Sequence, residues 1–377
     1  LMRKILSSPD SFHYQLIYTR IDRDRNNRPH FHNQYLRVNS GEYFNPASTV
    51  KLPLALLALE KIHTLKKYGV TRNTTMLTDS AFAGQTKVSS DSSSRNGLPS
   101  IEQYIKKIFL VSDNDAYNRL YEFLGQQYIN ETLRKKGYLH TRITRRFVAA
   151  DEEQNRHTNP IRFVDGERLL YAQPPQISKL TFDFSKKILV GKAHYDRDEE
   201  LINEPMDFTT HNDLPLEDLQ QMMQAALFPA SVAPEKRFDL DSADYLFLHR
   251  YMSELPGESR FPTYDTTEFF NSYTKFFIFR SGKSVIPPGI RVFSKAGWSY
   301  GFLTEVAYIV DFDQGVEFML TGSIYVNRDE VLNDNKYEYD EIGYPFFKEV
   351  GETIMKKERA RKKRYKPDFK QLLFSYH

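Results

Sequence analysis

Cysteine is absent from this 377-residue chain. Its absence excludes thiol nucleophiles, cysteine-ligated zinc and disulfides. It leaves the compartment open, because exported proteins can do without disulfides. Tryptophan occurs once, at Trp298. No apolar run approaches the roughly 20 residues that span a bilayer. No glycine-rich loop precedes a helical pattern, so nucleotide binding has no support. A net charge of +3, from 52 basic and 49 acidic residues, is too small to imply nucleic acid. The chain opens on Leu1, which reads as a trimmed or processed start, and residues 1–6 are too short for a signal peptide.

Aromatic side chains are plentiful, with 28 Phe and 24 Tyr. Each can bury a large area, which argues against a disordered chain. The length allows roughly one to three domains. His13–Asp22 alternates and is rich in aromatic and β-branched residues, which predicts a strand. Gln34–Val38 predicts a second strand after the polar turn Arg23–Pro29. Asn45-Pro46 then opens an apolar helical run from Val50 to Ile62, with Asn45 as N-cap and Pro53 expected to bend it. Further helices are predicted over Ser100–Leu110, Asp115–Leu124, Tyr128–Lys136, Leu216–Leu227 and Tyr337–Met355. Strand character returns at Lys275–Arg280, Ile290–Phe293, Phe302–Asp311 and Val316–Tyr325. Strands at both ends with helices between them predict an α/β (α+β) fold. The expected division is a discontinuous sheet domain, 1–45 plus 256–377, and an inserted helical domain, 46–255.

Three short motifs carry chemistry. Ser48-Thr49-Val50-Lys51 puts a hydroxyl and an amine on one helix face, about 4.5 Å apart in rise. A lysine of lowered pKa can take the serine proton and make it a nucleophile. The plain alternative is a cap and a solvated lysine, and Ser272-Tyr273-Thr274-Lys275 repeats the spacing. Ser112-Asp113-Asn114 falls between two predicted helices. A serine there can relay a proton, and an Asn amide can hold a substrate carbonyl. The alternative is an N-cap for the next helix. Lys295-Ala296-Gly297 ends a predicted strand and is followed by Trp298. Glycine there admits a ligand close to the backbone, and the N–H groups of Trp298 and Ser48 suit an oxyanion hole; the alternative is a solvated lysine and a core tryptophan.

The three motifs occur in this order, each in fitting local context, a combination that class A β-lactamases and penicillin-binding proteins share. The chain resembles that family over about half its length. The stretches FNPASTVK, AYNRLYEFLG, LRKKGY and Thr141–Arg145 (TRITR) carry the resemblance further. It implies a β-lactamase/transpeptidase-like fold with an antiparallel sheet of about five strands. It implies Ser48 as acylated nucleophile, Lys51 as base or relay, and Ser112 as the group that protonates the leaving nitrogen. Asn114 and Lys295 would bind substrate, together with Ala296, Gly297 and Trp298. The implied substrates are β-lactams or related amides and esters, including cell-wall peptides. The alternatives are a slowly deacylating penicillin-binding D,D-peptidase or esterase, and a non-catalytic binding module. No cofactor and no metal are expected, and residence in the periplasm or outside the cell is implied.

Three departures stand out. The family's water-activating Glu falls, without a gap, on Phe147, so Asp151, Glu152 and Glu153 are the remaining carboxylates for that role, the alternative being a plain solvated acidic run. Ala296 replaces the usual Thr or Ser, and Thr209, Thr210, His211 and Arg328 are the candidates to compensate. Finally, 183 residues separate Ser112 from Lys295, so extra material sits near 161–210 and 253–288. Outside the motifs, Lys356–Lys366 holds eight basic residues among eleven, which reads as a solvated helix end or as a run attracted to an anionic membrane surface or polymer. His30 and His32 share a strand face with no third ligand, as surface histidines do.

Overall fold

Three long strands from the C-terminal third pair with two from the N-terminus. In the computed structural model, which describes residues 1–376, they form one antiparallel sheet. Its order is Ile290–Ser299, Phe302–Asp311, Val316–Tyr325, Gln15–Arg23, Pro29–Leu36. Phe302–Asp311 and Val316–Tyr325 are buried at every position, as expected for central strands covered on both faces. Tyr300 and Gly301 turn the first hairpin, both at positive φ (52° and 82°), the geometry of a two-residue primed turn. Pro29–Leu36 is an edge strand and is largely exposed.

The chain divides into two units. The sheet unit comprises Leu1–Thr49, Thr181–Gln221 and Ser272–Lys370. The helical unit comprises Val50–Leu180, Met222–Asn271 and residues 371–376. The expected limits at 45 and 256 therefore fall at 49 and 271. Residues 181–221, expected among the helices, belong with the sheet. They form short strands, of which Ala193–Tyr195 pairs with Val331–Leu332. The added stretch near 161–210 begins with Ile161–Asp165 and Arg168–Gln173, which join Thr75–Thr78 in a small antiparallel sheet of the helical unit.

In the sheet unit, the closing helix Tyr344–Ala360 packs Phe346, Phe347 and Val350 against Phe276, Phe277, Ala296 and Leu303. The helix starts at Tyr344 rather than Tyr337 because Pro345 takes a first-turn position, where its missing N–H costs nothing. The aromatic run expected as a strand over Lys275–Arg280 is an irregular helical turn, with Ile278 at φ 74°. Its phenylalanines are buried, and the Phe277 N–H donates to Glu305 at 2.7 Å instead of to a neighbouring strand.

In the helical unit, Lys51–Leu65 is buried on nearly all sides, which makes it the central helix. Pro53 lies in its first turn, so the expected bend has no cause. Ile101–Val111, Asn114–Leu124 and Gln126–Lys135 pack as amphipathic helices. Ser100 caps the first, Gly125 ends the second at φ 81°, and Gly137 follows the third. Tyr104, Phe109, Tyr117, Tyr121 and Phe123 are completely covered. At about 1.5–3 kcal/mol per fully buried large side chain, such residues dominate the unit's stability. Among the described residues no helix is long and apolar enough to cross a membrane.

Candidate active site

Ser48 rides on the short helical turn Ala47–Val50, which leads directly into the Lys51–Leu65 helix. Asn45 Oδ1 accepts from the Ala47 N–H at 2.8 Å and fixes the start of this turn. Ala47, Thr49 and Val50 are buried, whereas Ser48 is partly exposed. The turn thus presents one residue to solvent. The chain passes from the sheet unit to the helical unit between Thr49 and Val50, so the motif's serine and lysine belong to different units.

Within the sheet unit, Gly297 meets the Ser48 turn. A Cβ on Gly297 would lie 2.5 Å from Ser48 N and 3.0 Å from Thr49 N. Only glycine lets the strand backbone approach this closely. Strand side chains alternate between faces, so Lys295 shares the face of Gly297. Lys295 is buried, with its amine donating to the Ala296 carbonyl at 2.6 Å.

The same alternation corrects one expectation, for Ala296, and confines Trp298 to its backbone. Ala296 points the other way and is fully buried in the core with Ile278, Leu303 and Ala307. A hydroxyl in its place would face that core. The Trp298 ring also lies on the core side, 5.5 Å from Tyr273 and 5.8 Å from Phe276. Only its backbone is offered to a ligand.

Next to Gly297 across the sheet, Thr304 donates to Ser323 Oγ at 3.1 Å, and Ser323 pairs with Gln15. Gln15 in turn holds Asn39 N at 3.1 Å and Glu42 O at 3.3 Å, ahead of the Ser48 turn. This polar row supports the site and was not foreseen.

Within the helical unit, Lys51 is completely buried. Its amine donates to the Ser112 carbonyl, to Asn114 Oδ1 at 2.7 Å and to Ser112 Oγ at 3.3 Å. Burial pushes the amine down from the ordinary lysine range to about 7, with the Asp113 carboxylate opposing the shift. An amine in that range is partly unprotonated at neutral pH and can take a proton.

Ser112 ends the Ile101–Val111 helix in the left-handed conformation (φ 63°, ψ 40°). Asp113 caps the next helix, accepting from Ala116 N at 2.8 Å. The capping role thus falls to Asp113, which leaves Ser112 and Asn114 to reach Lys51. The second Ser-x-x-Lys differs. Ser272 and Lys275 are buried behind the sheet, where the Lys275 amine donates to Ser294 Oγ at 3.2 Å.

Phe147 lies over Lys51, with the ring centroid 5.2 Å from the amine and 4.5 Å from the Tyr117 ring. Its backbone is pinned by Asn118 Oδ1, which accepts from Phe147 N at 2.8 Å. The preceding residues are fixed in the same way. Tyr117 donates to Arg145 O at 2.9 Å, and Gln126 to Thr144 O at 2.8 Å. Asn130 bonds both backbone groups of Ile143, at 2.8 and 3.0 Å. Asn118, Glu122, Gln126 and Asn130, all buried, form a polar row at steps of four residues. That spacing was the available signal for this support.

The three carboxylates expected near the site lie elsewhere. Asp151 caps the exposed Glu152–Arg156 turn, Glu152 pairs with Arg156 at 2.8 Å, and Glu153 with His157 at 2.9 Å. Among the other residues considered, Thr209 is buried, with its hydroxyl accepting from Ile188 N, and Arg328 is exposed. Among the described residues, His63, Asp241 and Asp244 bring side-chain ligand atoms within 4.8 Å of one another. Their carboxylates already serve Lys66 (2.9 Å), Arg72 (3.0 Å) and a helix cap.

Residues 29–189 match the model of a family described as the β-lactamase enzyme family. The match includes Ser48, Lys51, Ser112 and Asn114 and stops short of Lys295. The structure is similar to a β-lactamase from Xanthomonas campestris pv. campestris, at 14% identity and TM-score 0.53, covering 94% of this chain and 97% of that one. β-Lactamases from Burkholderia ambifaria (12% identity, 93% and 98% covered, TM-score 0.51) and Burkholderia vietnamiensis (13%, 94% and 96%, 0.51) are similarly related. No curated protein matches the chain. The fold is that of these solved β-lactamases.

Proposed function

We propose that the protein is a serine hydrolase of the β-lactamase type, working through an acyl-enzyme on Ser48. The observation that carries this reading is Lys51. It is buried, held by Ser112 and Asn114, brought to a pKa of about 7, and placed three residues after a partly exposed serine. In the proposed reaction the Ser48 hydroxyl attacks the carbonyl carbon of a β-lactam or related amide or ester, and its proton passes to the neutral Lys51 amine. The developing oxyanion accepts hydrogen bonds from the N–H groups of Ser48 and Trp298, on the two segments that Gly297 lets approach. The Ser112 hydroxyl carries the proton to the leaving nitrogen as the carbon–nitrogen bond breaks. Asn114 holds the substrate amide, and Lys295 attracts an anionic substrate. The proposed substrates put the protein in the periplasm or outside the cell.

A second reading has one observation in its favour. Phe147 occupies the position next to Lys51 where a water-activating carboxylate is expected. Slow deacylation follows, and with it the behaviour of a penicillin-binding protein. Intact-mass spectrometry with benzylpenicillin and a chromogenic cephalosporin tests both. A persistent adduct, absent from Ser48→Ala, supports the acyl-enzyme with slow release. Rapid hydrolysis that needs Ser48 supports an efficient β-lactamase and counts against the second reading. An adduct that survives Ser48→Ala overturns the assignment of the nucleophile. Failure of both drugs and of simple activated esters to acylate Ser48 overturns the reading.

A further inference from the structure

Beyond Ala360 the chain runs as an irregular strap beside the Gln15–Arg23 strand, and its side chains alternate in exposure. Arg361, Lys363, Tyr365 and Pro367 are half-buried, whereas Lys362, Arg364 and Lys366 are exposed. The inward set is tied down. Arg361 pairs with Asp22 and Glu358 and donates to Ile21 O at 2.9 Å, and Lys363 donates to Glu358 O at 3.2 Å. Asn27, in the turn between the first two strands, clasps the strap, donating to Lys366 O at 3.2 Å and accepting from Asp368 N at 3.1 Å. Phe369 is buried edge-on against Phe312 at 5.4 Å.

The outward set is entirely basic. Lys362, Arg364 and Lys366 take part in no ion pair among the described residues. The clasped turn adds exposed Arg25 and Arg28, and the end of the closing helix adds exposed Lys356 and Lys357. Asp368 on the strap is exposed and lies 3.7 Å from Lys370, and Asp22 and Asp24 are half-buried, but the other acids here are withdrawn. Glu358 and Glu317 are almost completely buried, as is Asp311, and they are spent on Arg361, Arg23 and Arg359. A hollow of about 460 Å³ opens beside the strap, walled in part by Arg20, Lys362 and Arg364. Asp22 and Glu317 also line it, each paired with an arginine.

We propose that this strap, with the Arg25–Arg28 turn, is a docking surface for a bilayer of anionic phospholipid. The cations are spread over a strap, a turn and a helix end, which suits an extended anionic surface rather than a single bound ion. Single-stranded nucleic acid is recognised by stacking on exposed rings. The aromatic residues here are withdrawn: Tyr18 is buried beneath Lys357, Phe369 is buried, and Tyr365 is half-buried. The outward residues offer charge alone, and their attraction falls with ionic strength.

The test is sedimentation of the full chain with vesicles of phosphatidylglycerol and phosphatidylcholine mixed one to three, against phosphatidylcholine alone. Binding is expected only to the mixed vesicles and is lost in high salt. The variant Lys362→Gln/Arg364→Gln/Lys366→Gln, which introduces no repulsion, is expected to bind about 100-fold more weakly. The variant Lys362→Glu/Arg364→Glu/Lys366→Glu, which reverses the charges, is expected to bind more weakly still. Unchanged melting and unchanged labelling of Ser48 establish that both variants are folded. Equal binding to the two vesicle types, no binding, or undiminished binding of both variants overturns the proposal. Complete displacement from the vesicles by DNA at equal charge concentration overturns it in favour of nucleic acid.

Discussion

The face of Phe147 stands 5.2 Å from the Lys51 amine. An aromatic ring can lie against this amine, but it cannot take a proton from water. The Asn118 bond to Phe147 N and the Tyr117 ring beneath it hold that arrangement in place. Restoring a carboxylate there is expected to shorten the life of the acyl-enzyme. In Phe147→Glu, the adduct formed with benzylpenicillin should decay about 100-fold faster, the low end of what a positioned general base supplies. The decay rate by mass spectrometry decides it, and an unchanged lifetime means that the missing carboxylate is not what limits deacylation.

Acylation should follow the titration of Lys51. In the proposed reaction the unprotonated amine is the active form, and burial brings its pKa to about 7. The rate of Ser48 labelling is therefore expected to climb as pH rises from 6 to 8, with half its maximum near 7. A midpoint close to the ordinary lysine value would remove Lys51 as the base.

Gly297→Ala places a methyl group 2.5 Å from Ser48 N. The strand or the serine turn must move to accept it. Overpacking of this kind costs about 1–3 kcal/mol. Labelling of Ser48 is expected to fall by about 100-fold, as when an oxyanion donor is lost, while the protein stays folded. Labelling rate and thermal midpoint, measured together, separate the two effects.

Two buried lysines make stability depend on pH. Burial brings Lys61, like Lys51, to about 7, and its amine donates to Phe123 O at 2.5 Å. Between about pH 7 and the ordinary lysine value, the unfolded chain holds protons that the folded chain has released. Stability therefore rises with pH across that window. Lys61→Met is expected to stabilise the protein at pH 7 and to roughly halve the rise between pH 7 and 9. Urea unfolding at the two pH values measures both.

Asn130, on the Gln126–Lys135 helix, anchors the start of the 143–147 segment. Asn130→Ala strands both backbone groups of Ile143 in a buried position. A loss of about 2–4 kcal/mol is expected. Leu substitution should not rescue it, because the cost comes from unpaired polar groups and not from lost volume.

Strand limits such as Phe302–Asp311 and Val316–Tyr325 were legible in the sequence, because a tight turn or a glycine bounds each apolar run. The helices closed by Gly125 and Gly137 were legible for the same reason. What failed was inference from proximity in sequence. Ala296 and Trp298 flank Gly297, yet a strand turns alternate residues to opposite faces, so both belong to the core. Asp151, Glu152 and Glu153 follow Phe147 closely, but a short surface helix consumes them in caps and ion pairs. The Lys275–Arg280 run signalled burial, which fixes no backbone conformation. The row from Asn118 to Asn130 was hidden by the break at Gly125, which divides it between two helices.

Ser112 holds a left-handed backbone conformation that side chains other than glycine and asparagine rarely adopt. Glycine in its place would relax that conformation and add about 1 kcal/mol of stability. It would also remove the hydroxyl proposed to protonate the leaving group. A selection for heat tolerance alone would therefore be expected to discard Ser112. Only a selection that also reads out chemistry would keep it.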